Sequence, residues 1–157
     1  MLKKVIILRV LSGLIMLVIF AIAGCATPTV VTEYDLPSQN LEAKPEAGLS
    51  KVVFFNNSNF LTHGIDRSGY VTIKINGKGL ATLQIHNYVQ IFLAQAEYDL
   101  YMAHLDILLF ESNHKLKVDK DELFVEIYAT TISNEYKIVD QLPANFIKIY
   151  KPAYIKK

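Results

Sequence analysis

Apolar residues in this chain fall into one long run near the start and several short alternating runs later. The long run is Val10–Ala23, preceded by the short basic stretch Met1–Arg9. From Lys51 onward the period drops to two, the spacing of a strand with one buried face, because successive side chains point to opposite sides. Lys51–Asn56 reads as an opening strand rich in β-branched and aromatic residues. Asn57–Gly69 reads as a polar loop. Tyr70–Asn76 alternates, with Val71, Ile73 and Ile75 on one face and Thr72 and Lys74 on the other. Asn76-Gly77 then gives a strong hairpin signal, since both central residues of a type I′ turn need positive φ. The return strand runs from about Leu80 to Ile85, and His86-Asn87 turns the chain into Tyr88–Leu93. Lys115–Val118 and Glu122–Thr130 predict another hairpin around Asp119-Lys120-Asp121, with Leu123, Val125 and Ile127 inward. Tyr136–Val139 reads as the last strand.

One stretch supports two readings. In Phe92–Phe110, Leu93, Ala96, Leu100, Ala103, Ile107 and Phe110 recur at heptad spacing, and Ala, Gln, Glu and Leu favour helix. Tyr98, Leu100, Met102 and His104 equally fit a strand. The predicted fold is therefore an all-β, mainly antiparallel sandwich of about 7–8 strands, with a short helix near 94–103 as the alternative for that segment. Residues 26–50 contain Pro28, Pro37, Pro45 and Gly48 without apolar alternation, so 25–50 reads as a flexible tether. Twenty-five flexible residues span about 30 Å on average. The sandwich is expected over 51–142 and a solvated tail over 143–157, marked by Pro152 and Lys156-Lys157.

Composition adds limits. At 157 residues the chain holds one ordinary domain. Its 16 Lys and Arg include Lys3, Lys4 and Arg9, leaving 13 beyond residue 24 against all 15 acids, a net of −2. That balance offers no basic stripe for nucleic acid. Cys25 is the single cysteine, so the chain can form neither an internal disulfide nor a thiolate metal cluster.

The start of the chain accounts for that cysteine. A basic n-region, an apolar h-region and the small-residue close Ala21-Ile22-Ala23-Gly24-Cys25 make the layout of an export signal over 1–24. Ile22-Ala23-Gly24-Cys25 resembles the bacterial lipobox. The resemblance implies cleavage after Gly24, transfer of a diacylglycerol to the Cys25 thiol, palmitate-type acyl chains, and a membrane-anchored lipoprotein. Several acyl chains hold a protein stably where one does not. The alternative is an uncleaved inner-membrane anchor, which needs roughly 20 apolar residues and reaches that length only by burying Arg9. Ala26 stands where inner-membrane-retained lipoproteins resemble one another in having Asp. By that analogy the destination is the outer membrane, facing the periplasm.

The folded part also resembles a family. The features are Val53-Phe54-Phe55-Asn56-Asn57-Ser58-Asn59-Phe60, the hairpin Ile73-Lys74-Ile75-Asn76-Gly77-Lys78, Leu83, Tyr88, Tyr98-Asp99-Leu100, and Leu116 through Ile127. Over about residues 50–140 they are similar to the PEGA-like β-sandwich domains of bacterial lipoproteins, a family of unknown function. The chain departs from that pattern at Gln95-Ala96-Glu97 and His86-Asn87, where the family usually has turn residues. The resemblance implies a sandwich and a cell-envelope role.

Candidate chemistry is sparse. His63, His86, His104 and His114 show no i, i+4 pair and no His-Glu-x-x-His, so no metal site or other cofactor site is expected. His104 and Asp106 would share a face on a strand, but two groups do not make a metal site. Histidines in such positions are expected at the surface or in turns. Gly77-Lys78-Gly79 fits a hairpin better than a phosphate cradle, and Asp119-Lys120-Asp121-Glu122 lacks the glycine and the bidentate Glu of a calcium loop. Tyr88, Phe92, Tyr98, Tyr101, Phe124 and Tyr128 alternate along strands that could share a face and stack a sugar or meet a protein. The expected function is a non-enzymatic, lipid-anchored envelope module that binds an envelope protein or glycan or serves a structural role. The alternatives are an envelope enzyme using carboxylates such as Asp99 and Asp106, and the uncleaved-anchor protein.

Overall fold

The computed structural model describes residues 30–59, 69–106 and 108–153. Within them lie nine strands and a single helical turn: β1 (Leu49–Asn56), β2 (Val71–Ile75), β3 (Lys78–Leu83), β4 (Asn87–Ala94), β5 (Ala96–Leu105), β6 (Leu109–Val118), β7 (Glu122–Ala129), β8 (Asn134–Val139), α1 (Phe146–Ile149) and β9 (Lys151–Pro152). They form a five-stranded sheet in the order β8-β7-β1-β4-β9 and a four-stranded sheet in the order β3-β2-β5-β6. Pairing is antiparallel except for β1 with β7 and β4 with β9. The fold is an all-β sandwich.

The alternation read from the sequence builds the core. Val52, Phe54, Ile91, Val125 and Ile127 from one sheet meet Ile73, Ile75, Leu100, Met102 and Leu116 from the other, all buried. Asn76 and Gly77 have φ of 49° and 77° between the paired residues Ile75 and Lys78, as a type I′ turn requires. His86 also has positive φ, 62°.

The ambiguous stretch is strand, and the helix alternative near 94–103 is overturned. β5 pairs with β6 continuously from Ala96 opposite Val118 to Leu105 opposite Leu109. A heptad stripe would have put Leu93, Ala96 and Leu100 on one face. Instead Ala96 is exposed, while Leu93 and Leu100 enter the core from different sheets, with Gln95 alone separating β4 from β5. The hairpin expected around 119–121 is also not formed. β6 belongs to the four-stranded sheet and β7 to the five-stranded one. Each has an apolar face, but those faces meet across the core, because alternation fixes which face is buried and not which strand lies alongside.

Both flanks of the predicted domain join it. The stretch read as a tether lies against the sandwich from Val30. Glu33 N–H donates to Gly79 O at 2.9 Å and the Glu33 carboxylate accepts from Gly79 N–H at 2.8 Å. Val30 N–H donates to Thr82 Oγ1 at 3.1 Å. This strap thus runs antiparallel to β3 along its open edge. A Cβ on Gly79 would stand 2.2 Å from Val30 Cγ1, so the close approach needs glycine there. Tyr34 and Leu36 pack on the main core, and the Tyr34 hydroxyl donates to Ile75 O at 2.7 Å. Further along, the Gln39 amide serves the backbone of Gln90 on β4 twice: its Nε2 donates to Gln90 O at 3.0 Å and its Oε1 accepts from Gln90 N–H at 2.7 Å.

The segment expected as a solvated tail is built in as far as Ala153. β9 pairs with β4 at Asn87 and Tyr88. Phe146 and Tyr150 form a second apolar cluster with Val53, Phe55 and Tyr88 on the outer face of the five-stranded sheet. Phe146 and Tyr150 stack at 4.4 Å, and each meets the Phe55 ring edge-on, at 5.4 and 5.3 Å. Two large aromatics four residues apart on one helical turn are what make this segment part of the fold, since burying each removes 150–250 Å² from water.

The turn at Gly77 gives a direct test. No atom lies within 4 Å of a Cβ placed there, so substitution acts through the positive φ alone. Gly77→Val should cost about 1–3 kcal/mol and lower the melting temperature by several degrees, while Lys78→Ala should leave it near wild type. Coincident melting curves for the two variants would refute the turn.

Candidate functional site

Of the residues singled out by sequence, Gly24, Cys25 and His63 lie outside the described residues. His86 is exposed in its turn. His104 departs from expectation: it is buried on the inner face of β5. Its Nδ1 lies 2.8 Å from Oδ1 of Asn134, the first residue of β8. Asn134 Nδ2 donates to Phe110 O at 3.0 Å and to Met102 O at 3.3 Å, which fixes the amide orientation and makes Oδ1 the acceptor. His104 therefore carries a hydrogen on Nδ1. His114 Nε2 donates to Asn134 O at 2.9 Å. His104 and His114 thus converge on Asn134, a residue with no sequence signal of its own, and together they fasten β8 to β5 and β6. Their arrangement holds the sheets in place, and among the described residues no group of three or more His, Cys, Asp or Glu is placed to hold a metal ion.

Asp99 and Asp106 are not brought together. Asp99 lies within β5 and Asp106 in the turn just past its end, and the six strand steps from Asp99 to Leu105 alone span about 20 Å. Asp99 pairs with Lys115 at 2.6 Å on the exposed side of the four-stranded sheet.

The six aromatics are divided among different surroundings. Tyr88 and Phe124 lie in the outer cluster with α1, and Tyr98 packs on the main core. Phe92 is half-buried on β4. Tyr101 and Tyr128 sit on the outer faces of different sheets. Tyr101 donates to Glu111 Oε1 at 2.5 Å, with Lys74 Nζ 5.1 Å from its ring centre. Tyr128 lines a groove of about 290 Å³ with Asn57, Asn59, Glu126, Ala129 and Lys137.

That groove brings hydrogen-bonding side chains beside an aromatic ring, and it is the candidate binding site. Period-two alternation aims Glu126 and Tyr128 outward from β7, and β8 supplies Lys137, which pairs in register with Glu126. Asn57 Nδ2 donates to Glu126 Oε1 at 2.8 Å, and Lys137 Nζ lies 3.6 Å from Glu126 Oε2. The Tyr150 hydroxyl donates to Asn57 Oδ1 at 2.8 Å, tying the C-terminal segment to the groove. The Tyr128 hydroxyl donates to Glu135 at 3.1 Å, and burial with this bond raises its pKa. A neutral phenol, an amide, a carboxylate and an ammonium side by side suit a hydroxyl-rich or peptide ligand. Asn57 and Tyr128 were visible in the sequence as single residues, but their proximity depends on the parallel β1–β7 pairing.

Comparison of the chain with protein-family models, with curated proteins and with solved structures finds no match.

Tyr101 offers a titration test. Burial, then the hydrogen bond and charge of Glu111, push its pKa up to about 12. The fold thus favours the neutral phenol. Its contribution to stability is full below the ordinary tyrosine value of about 10 and is lost as pH rises through about 12. Glu111→Gln should bring the Tyr101 transition, followed by ring chemical shifts, down toward 10. An unshifted transition would contradict this origin.

Proposed function

We propose that this chain is a lipid-anchored lipoprotein of the bacterial cell envelope, held at Cys25 and presenting its β-sandwich as a non-enzymatic binding or structural module. The observation that carries the reading is Ile22-Ala23-Gly24-Cys25 at the end of an apolar run with a basic start. Gly24 is the last residue of the signal in this account, and Cys25 becomes the acylated N-terminus. Ala26 favours the outer membrane, facing the periplasm. The similarity to PEGA-like lipoprotein sandwiches belongs to the same reading.

The strap gives it physical shape. Val30 is already bonded to β3, five residues after Cys25. Five residues reach at most about 17 Å, so the domain stands at the membrane surface and not on a long tether. The groove at Asn57, Glu126, Tyr128 and Lys137 supplies the face for an envelope protein or glycan.

Cells expressing the full chain and fed an alkyne fatty acid should yield a tagged wild type and an untagged Cys25→Ser variant. Equal tagging of the two would end this reading.

A further inference from the structure

Several large apolar side chains remain exposed in the sandwich, and three of them gather at one end. Leu108 and Leu109 form the tip of the β5–β6 hairpin, 64% and 47% exposed, and Ile132 stands 76% exposed in the β7–β8 turn. Each turn carries a backbone hydrogen bond between described residues. Asp106 N–H donates to Leu108 O at 3.0 Å in the first, and Thr130 N–H donates to Ser133 O at 2.8 Å in the second. Asn134, immediately after the second turn, donates to Phe110 O, immediately after the first tip, at 3.0 Å. A single buried amide therefore ties the segments that follow the two turns to each other.

The described part of the strap begins, at Val30, on the side of the sheet nearer this same end. Thr82, beside Val30, is level with Thr72, Ala103 and Glu111 across the four-stranded sheet. Because Val30 lies at Thr82 and Glu33 at Gly79, the strap read from Glu33 back to Val30 runs toward the end of the sheet that carries the hairpin tip. From Ala103 to the turn at Asp106 is three residues, about 10 Å of strand. The five residues from Val30 back to Cys25 reach up to about 17 Å, which is enough to pass the tip.

We propose that the end of the sandwich carrying Leu108, Leu109 and Ile132 rests on the bilayer that holds Cys25, with these side chains inserted at the headgroup boundary. The inference rests on the lipoprotein reading. The acyl chains supply the attachment, and the apolar end sets orientation, since large exposed apolar side chains held at a lipid surface gain by leaving water. The opposite end, with the 76–77 and 119–121 turns, then points away from the membrane.

The test uses the full, processed chain reconstituted in phosphatidylcholine vesicles, with an environment-sensitive nitrobenzoxadiazole label on Leu108→Cys, Ile132→Cys or, at the far end, Lys120→Cys. The diacylglyceryl thioether blocks the Cys25 sulfur, so each variant has one reactive thiol. Labels at 108 and 132 should shift to shorter emission wavelength and be quenched by lipids with a spin label near the headgroup, while the label at 120 does neither. Labels at 108 and 132 that behave like the one at 120 overturn the inference while leaving the anchor intact. Shielding from water without quenching by lipid also overturns it, because a second protein then covers this end. Wild-type chain that takes the thiol label and fails to float with vesicles shows that the anchor reading has failed, and the inference falls with it.

Discussion

An open sheet leaves a row of backbone donors and acceptors along each outermost strand, and the structure depends on how those rows are covered. Two sheets present four edges. On one side β3 is covered by the strap through Glu33, while β4 is covered first by β9 and then by the side-chain amide of Gln39. On the other side the edges β6 and β8 meet. Asn134 donates to Phe110 O, His114 donates to Asn134 O, and the Tyr136 hydroxyl donates to Lys115 O at 2.6 Å. On the first side backbone and side-chain groups share the covering, and on the second, side chains take the place of backbone partners.

This arrangement explains the division between what the sequence disclosed and what it withheld. The core faces of β2 and β7 were legible because burial enforces period two, and the 76–77 turn was legible because few residues tolerate its φ. Strand neighbours were not legible: Leu116 and Leu123 report that they face inward, and nothing in them says that β6 and β7 lie in different sheets. Nor was the role of residues 30–41. A segment that covers an edge with one side chain at a time has no period, so Glu33, Tyr34 and Gln39 read as ordinary linker residues. Phe146 and Tyr150 carried a usable signal, two aromatics at helical spacing, that the nearby Pro152 and terminal lysines obscured.

The candidate groove was less legible still. Asn57 follows β1 and Glu126 belongs to β7, and they meet because those strands run parallel and adjacent. The histidines show the converse. Their sequence spacing promised nothing, and the structure uses His104 and His114 to hold Asn134 at a corner. A buried polar group needs a bonded neighbour, and here that need fastens one sheet to the other. The consequence is that the strap makes residues 30–41 and the sandwich one body, so five residues separate Cys25 from the folded part.

The central claim is that residues 30–41 are part of the fold and close its edges. Amide hydrogen exchange at Gly79 and Gln90 tests it most directly, because those N–H groups donate to the side chains of Glu33 and Gln39. The account predicts exchange at both sites slowed toward that of Phe54 in the central strand β1. Exchange at the rate of an open edge at Gly79 and Gln90, with Phe54 still protected, would contradict it.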